Sequence, residues 1–201
     1  MGIENQELSD IFLPSGNITF EQLNAITDFR RLWYQLANWM RAFIYSVVNK
    51  NPNLTAVSKR LYEGVPLDFY KTFQVFYGPE ISERLLNLIS TNILLFWRLI
   101  NGIVENNTEL VNQTTVQLYE NVDHISTFLA HINPEWDKAR WNSLLTQYIS
   151  MMIEHILAII RGQFDQEIAI FGRIENLALI MGSYMARGVI QRGLLSEPSE
   201  G

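Results

Sequence analysis

Apolar residues recur every three or four positions along five long stretches of the chain. In the first stretch the series is Leu23, Ile26, Phe29, Trp33, Leu36, Met40, Phe43 and Val47. This spacing is typical of a helix that buries one face against other helices. Thr19 followed by Gln22 is a capping-box signal for a helix start, and Pro52 lies just beyond the last apolar position. The pattern therefore predicts a first helix from about 19 to 49.

Boundary signals divide the rest of the chain into four further long helices. Their predicted spans are residues 79–105, 108–131, 134–161 and 164–191. Asn107 or Thr108 is the expected cap of the third helix. Asn133 followed by Pro134 is the expected start of the fourth, because proline at the first helical position loses no hydrogen bond. Gly162 is a typical residue to end that helix.

Residues 53–79 form a connector between the first two long helices. Glycine and proline at positions 64, 66, 78 and 79 divide it into two short helical segments. The chain has no strand-like alternation of apolar and polar residues. The predicted fold is therefore an all-α up-down bundle of five long helices plus a short helical connector.

The chain is long enough for a substantial core, and no Pro/Gly/Ser-rich linker divides its 201 residues. We predict one bundle domain at 19–192, an N-terminal tail at 1–18 and a C-terminal tail at 193–201. A hydrophobic content of 48% agrees with a large core.

Composition excludes several classes of function. The absence of cysteine removes disulfides, thiolate metal sites and cysteine nucleophiles. A net charge of −6 with 15 scattered Lys and Arg residues argues against nucleic-acid binding, which uses a basic stripe. The first residues lack a basic segment followed by an apolar one, so no secretory signal is predicted and a cytoplasmic location is expected.

The most apolar segment, at 144–160, approaches the length of a membrane span. It contains Gln147, Glu154 and His155, each of which is costly in hydrocarbon. The segment therefore predicts a helix buried inside the bundle, and no transmembrane segment is expected.

Polar residues recur at the middle of several predicted helices. Asn92 interrupts an apolar stripe of the second long helix, next to Thr91. Gln147 and Tyr148 in the fourth helix, and Glu175 in the fifth, stand at matching distances from the turn that joins those helices, roughly 20 Å at ~1.5 Å per residue. These five residues predict a central polar layer.

This layer has too little anionic charge for a di-iron or di-manganese centre, which needs several carboxylates and imidazoles. The remaining metal hypothesis is a transition-metal site (iron, manganese or zinc) formed by Glu175, Glu154 and His155. The simpler interpretations are that Glu175 pairs with Arg41 or a tyrosine, and that His155 is an ordinary core residue.

Two further interpretations concern hydrogen bonding and surface pairs. A buried Asn92 is expected to bond to Tyr148 or Glu175, since an unpaired buried amide costs about 1 to 3 kcal/mol. Glu120 and His124 stand at the i, i+4 spacing that permits joint metal ligation, but a single such pair is weak evidence and an ordinary surface pair is the preferred interpretation.

Three stretches, "LWYQLANWMRAF" at 32–43, "LYENVDHISTFLAHINPEW" at 118–136 and "GQFDQEIAIFGRIENLALIMGSYMARGVI" at 162–190, carry a family resemblance. They resemble a family of uncharacterised bacterial helical-bundle proteins with a ferritin-like metal site. The resemblance implies His on the first helix, Glu-His on the second and fourth, and Glu on the fifth. The matching positions here are Leu36, Thr91, Asn92, Gln147, Tyr148 and Glu175. It therefore implies a ferritin-like bundle in which only Glu175 keeps a ligand of the family type.

Three functions follow as hypotheses. The first is a non-enzymatic bundle with a degenerate metal site and no cofactor, acting as a homodimer or through protein binding. The second is a metal-binding ferritin-like protein with oxidoreductase activity. The third is a carrier that holds a small apolar molecule in the bundle interior.

Overall fold

The computed structural model describes residues 18–195, so residues 1–17 and 196–201 of the two predicted tails lie outside the described part. The helices are α1 (Phe20–Val48), α2 (Leu54–Lys59), α3 (Val65–Val104), α4 (Thr108–Ile132), α5 (Lys138–Ile160) and α6 (Phe164–Gln191). Within residues 18–195 no strand occurs. The prediction of an all-α bundle with five long helices and a short helical connector is confirmed.

Local signals place several helix ends where the sequence predicts them. The Thr19 side chain accepts from the backbone N–H of Gln22, and the Gln22 side chain bonds back to the backbone of Thr19. The Asn107 side chain caps α4 by accepting from the backbone N–H of Leu110, 3.0 Å away. Gly162 follows α5 with a φ of 67°, a conformation in which a side chain would be strained. These boundaries are set by neighbouring residues alone.

The connector differs from the prediction of separate short helices. A π-helical turn, Arg60–Gly64, joins α2 directly to α3. α3 then continues through Gly78, where φ is 76° and the helix kinks, and on through Pro79 to Val104. Because the Gly78 backbone is not helical, the predicted break before Pro79 is present, and α3 consists of two helical segments that meet at this kink.

The fourth long helix begins later than predicted. Asn133 forms a turn in which its side chain accepts from the backbone of Glu135 and donates to the Tyr77 hydroxyl. Trp136 follows, fully buried, and Asp137 caps the helix that starts at Lys138. The helix starts only at Lys138 because the preceding turn places the Trp136 ring in the core.

The long helices surround one continuous apolar core. The most extensive interface joins α1 and α6, and the next joins α3 and α4. α5 packs between α4 and α6, and α3 also contacts α1. α1 and α6 approach very closely, since a Cβ added at Gly182 would lie 2.5 Å from the Cα of Arg30. Aromatic rings from several helices meet within this core, as where Trp33 of α1 stacks on Trp141 of α5 at 5.9 Å.

Two segments are long and apolar enough to cross a membrane by length and composition alone, namely Leu54–Val104 and Lys138–Ile160. In the bundle, 44% and 50% of the respective apolar windows are buried. A core helix of a water-soluble protein meets the same criterion, so these segments leave the cellular location undecided.

Candidate functional site

The most deeply buried ionic group of the described chain joins α1, α5 and α6. Glu167 of α6, with its side chain only 1% exposed, accepts two hydrogen bonds from the guanidinium of Arg41 at 2.8 and 3.1 Å. The Nε2 atom of His155, on α5, lies 2.7 Å from the same carboxylate. We call these three residues the buried ionic cluster.

Opposing effects set the pKa values in this cluster. Burial alone would raise the pKa of Glu167, but hydrogen bonds from Arg41, His155 and Tyr45 outweigh it and hold the pKa below its usual value. Burial lowers the pKa of His155 despite the carboxylate beside it. Glu167 is therefore ionised and His155 neutral near pH 7, with the imidazole hydrogen on Nε2 donated to the carboxylate.

Apolar rings enclose the buried ionic cluster. The guanidinium of Arg41 lies 4.4 Å from the ring centre of Phe171, and the His155 ring lies 5.4 Å from the same residue. The Nδ1 atom of His155 is buried without a hydrogen-bond partner within residues 18–195. The imidazole is fully buried, and its contact with Glu167, together with the Arg41–Glu167 pair, connects α1, α5 and α6.

The three predicted metal ligands have separate partners. Glu175 accepts from the Tyr34 hydroxyl at 2.9 Å, in agreement with the tyrosine alternative. Glu154 is exposed and pairs with Arg173 at 3.0 Å. His155 bonds to the carboxylate of Glu167. No group of three or more potential metal ligands occurs within the described residues.

The predicted polar layer is also divided among separate hydrogen bonds. Asn92 is buried and donates to the Oδ1 of Asn121 on α4 at 3.1 Å, so the predicted partners Tyr148 and Glu175 are wrong. Thr91 and Gln147 each bond to their own helix, at Asn87 and Ser143 respectively. The layer therefore reduces to one buried amide pair between α3 and α4.

Tyr148 occupies the core without a hydrogen bond from its hydroxyl to any described residue. Its ring meets Phe96 of α3 edge-on at 6.5 Å, and burial raises the pKa of its hydroxyl far above the usual value. Tyr148 therefore contributes to packing as a large apolar side chain.

A groove follows the outer junction of α3 and α4. Its larger recess, about 570 Å³, is lined by Arg84, Asn87, Leu88, Thr91, Asp123, His124, Thr127, Phe128 and His131. A second recess of about 310 Å³ shares Thr91 and His124 with the first and extends to Arg98. Glu120 lines this second recess, so the predicted Glu120 and His124 pair is part of the groove.

The amino-terminal half of α6 exposes apolar side chains. Phe164 is 59% exposed and Ile168 is 61% exposed, and Ala169 beside them is also exposed. Gly172 follows one turn later, and a Cβ added there would meet nothing within 4 Å. We call these four residues the α6 face.

The sequence contained a signal for the buried ionic cluster. Glu167 precedes Ile170, Phe171 and Ile174 by three, four and seven positions, which is the spacing of one helix face. All three apolar residues are buried. This helix face, rather than the distance of Glu175 from the turn, therefore marks the buried carboxylate of α6.

No protein-family model, curated protein or solved structure matches this chain. The resemblance to ferritin-like bundle proteins therefore stays a hypothesis. The geometry of the chain itself is the basis for assigning a function.

Proposed function

We propose that this protein is a non-enzymatic helical bundle that acts by self-association, and that the α6 face forms the contact between two copies. The observation that carries the proposal is the exposure of Phe164 and Ile168 on one side of α6. Adjacent large apolar side chains in water are unfavourable, and their burial by a partner contributes about 25 cal/mol per Å².

The Gly172 position supports a partner helix at this face. Glycine inside a helix costs about 0.8 to 1 kcal/mol relative to alanine. At Gly182 a close neighbouring backbone explains that cost, whereas at Gly172 no residue between 18 and 195 provides such a neighbour. A second helix packed over Ala169 and Gly172 could approach α6 closely, because Gly172 has no side chain.

Charge complementarity favours a second copy of this chain as that partner. Asp165 stands four residues before Ala169, and Arg173 stands four residues after it. If two α6 helices pair antiparallel about a twofold axis at Ala169, each Asp165 lies at the height of the other copy's Arg173, about 6 Å from the axis. Both side chains of the Arg173–Glu154 pair are exposed, so this pair is weak and Arg173 can also interact with Asp165 of a second copy.

The test is sedimentation velocity over a range of protein concentrations, with the full chain and the variant Ile168→Glu. We expect a dimer whose dissociation constant rises at least about 10-fold in the variant, because two carboxylates would be buried near the axis. Val75→Glu is the matched control, since Val75 is 78% exposed and lies on α3. A monomer at all concentrations, or equal effects of both variants, would contradict the proposal.

A charge exchange tests the antiparallel geometry. Asp165→Arg and Arg173→Asp should each weaken the dimer, and the double variant should recover most of the loss. Thermal melts of all three variants verify folding. If the double variant is as weak as the sum of the single variants, the twofold arrangement about Ala169 is wrong, although another contact through the α6 face could still be tested with Ile168→Glu.

A further inference from the structure

The larger recess of the groove between α3 and α4 has the features of a small-molecule site. Its volume of about 570 Å³ lies within the range of ligand pockets, about 300 to 1,000 Å³. Its apolar surface comes from Leu88 and Phe128, and polar groups surround that surface. The recess lies on α3 and α4, so it is separate from the α6 face.

Arg84 is the main charge in this recess. Its guanidinium lies 5.3 Å from the ring centre of Phe128, and it has no carboxylate partner within residues 18–195. A guanidinium stacked on a ring keeps its N–H groups directed outward from its edge, where they match the two oxygens of a carboxylate. Arg84 is therefore a cation that is held in place and still available to an anion.

The other polar groups extend the same chemistry. Asn87, Thr127, His124 and His131 line the recess beside Arg84, and each side chain offers an N–H or O–H group. Two imidazoles and an amide can thus complete the hydrogen bonding of an anion that the guanidinium attracts, while the Thr127 hydroxyl bonds to Asp123.

Asp123 limits the charge that the ligand can carry. It also lines the recess, and the ammonium group of Lys138 lies 2.8 Å from its carboxylate. Lys138 is the main cause that holds the pKa of Asp123 below its usual value, so the carboxylate is ionised near pH 7. A doubly charged phosphate would meet this negative charge, whereas a single carboxylate requires only Arg84.

We propose that the recess binds a small organic carboxylate, with the carboxylate on Arg84 and the apolar body over Leu88 and Phe128. The proposal combines one available cation, a mixed apolar and hydrogen-bonding lining and a volume that exceeds the needs of an inorganic ion. It is independent of self-association through the α6 face.

The test uses octanoate as the probe and compares it with octylamine and octanol, which have chains of the same length. Binding is measured by calorimetry, and amide NMR spectra locate it. We expect octanoate to bind more tightly than the other two and to shift the signals of Asn87 and Thr127. Tighter binding of octylamine, or shifts confined to other parts of the chain, would overturn the proposal.

Two variants of exposed residues test the role of charge without disturbing the core. Arg84→Gln removes the cation, and Asn87→Asp places a carboxylate in the recess at nearly constant volume. Each should weaken octanoate binding at least about 10-fold, the factor expected for a lost hydrogen bond to a charged group. Arg98→Gln, on the same helix but outside this recess, is the matched control and should change binding less than about 2-fold. Equal weakening by all three variants would overturn the assignment to Arg84.

Discussion

Removal of the Arg41 charge is the most direct test of the buried ionic cluster. Glu167 is almost fully buried, and Arg41 supplies two of its hydrogen bonds. Arg41→Met keeps an unbranched apolar chain like the arginine methylenes but leaves the carboxylate with only the His155 and Tyr45 partners. The result is a buried charge without its compensating cation.

The expected loss follows from the burial of the two partners. Breaking a buried ion pair on one side costs about 3 to 5 kcal/mol. The arginine side chain is 33% exposed, but the carboxylate that stays behind is 1% exposed, so little solvent reaches it. His155 still donates one hydrogen bond, which places the expected loss near the lower end, at about 3 kcal/mol.

The way in which the free energy of unfolding changes with pH provides a second test of the cluster. In the unaltered protein the pKa values of His155 and Glu167 are both lowered, so the unfolded chain binds more protons than the folded chain. These groups contribute stability above pH 6.5, the ordinary histidine value, and that stability is lost as the pH falls through the lowered values.

In Arg41→Met the contribution of the cluster to stability changes with pH in the opposite direction. Without the guanidinium, burial dominates and raises the pKa of Glu167, or a proton stays on His155 to compensate the carboxylate. Either way the folded state holds one extra proton near neutral pH. Stability then falls as the pH rises from 4.5, the ordinary glutamate value, if the proton is on Glu167, and from 6.5, the ordinary histidine value, if it is on His155. The deficit relative to the unaltered protein should therefore be largest near neutral pH and shrink in acid.

The assay is urea unfolding followed by circular dichroism at several pH values. Arg31→Met is the control, because Arg31 lies on the same helix and pairs with Asp28 only at the surface, where the side chains are 53% and 50% exposed. It should lose less than about 0.5 kcal/mol. A loss below about 1 kcal/mol in Arg41→Met, or a deficit that is equal at all pH values, would refute the reasoning.

Two further substitutions test packing and buried polarity. Asn92→Leu should cost about 1 to 3 kcal/mol because the Oδ1 of the buried Asn121 loses its donor, and adding Asn121→Leu should recover most of that loss. Simply additive losses in urea unfolding would count against the pair. Gly182→Ala should destabilise the fold by about 1 to 3 kcal/mol through its clash with the Arg30 backbone. Gly172→Ala should instead stabilise the monomer by about 0.5 to 1 kcal/mol. Losses of equal size in thermal melts would contradict the packing described for α1 and α6.

The helical class and most helix ends could be predicted because they depend on local chemistry. The capping box at Thr19, the cap at Asn107 and the stop at Gly162 all involve residues within four positions of each other. The apolar spacing likewise needs only the geometry of one helix. The exception at Asn133 arises because its turn places a buried tryptophan and bonds to Tyr77 on α3.

The chemistry of the polar residues was decided only in the tertiary structure. Sequence spacing identified Asn92 as an amide on an apolar face, and its partner proved to be Asn121, 29 residues away on α4. The pairing of Arg41 with Glu167 spans 126 residues. Such pairs depend on how far neighbouring helices slide and rotate against each other, and that register is set by the packing of whole faces in the core. A single helix pattern therefore determines which residues turn inward, while the assembled bundle determines which of them meet.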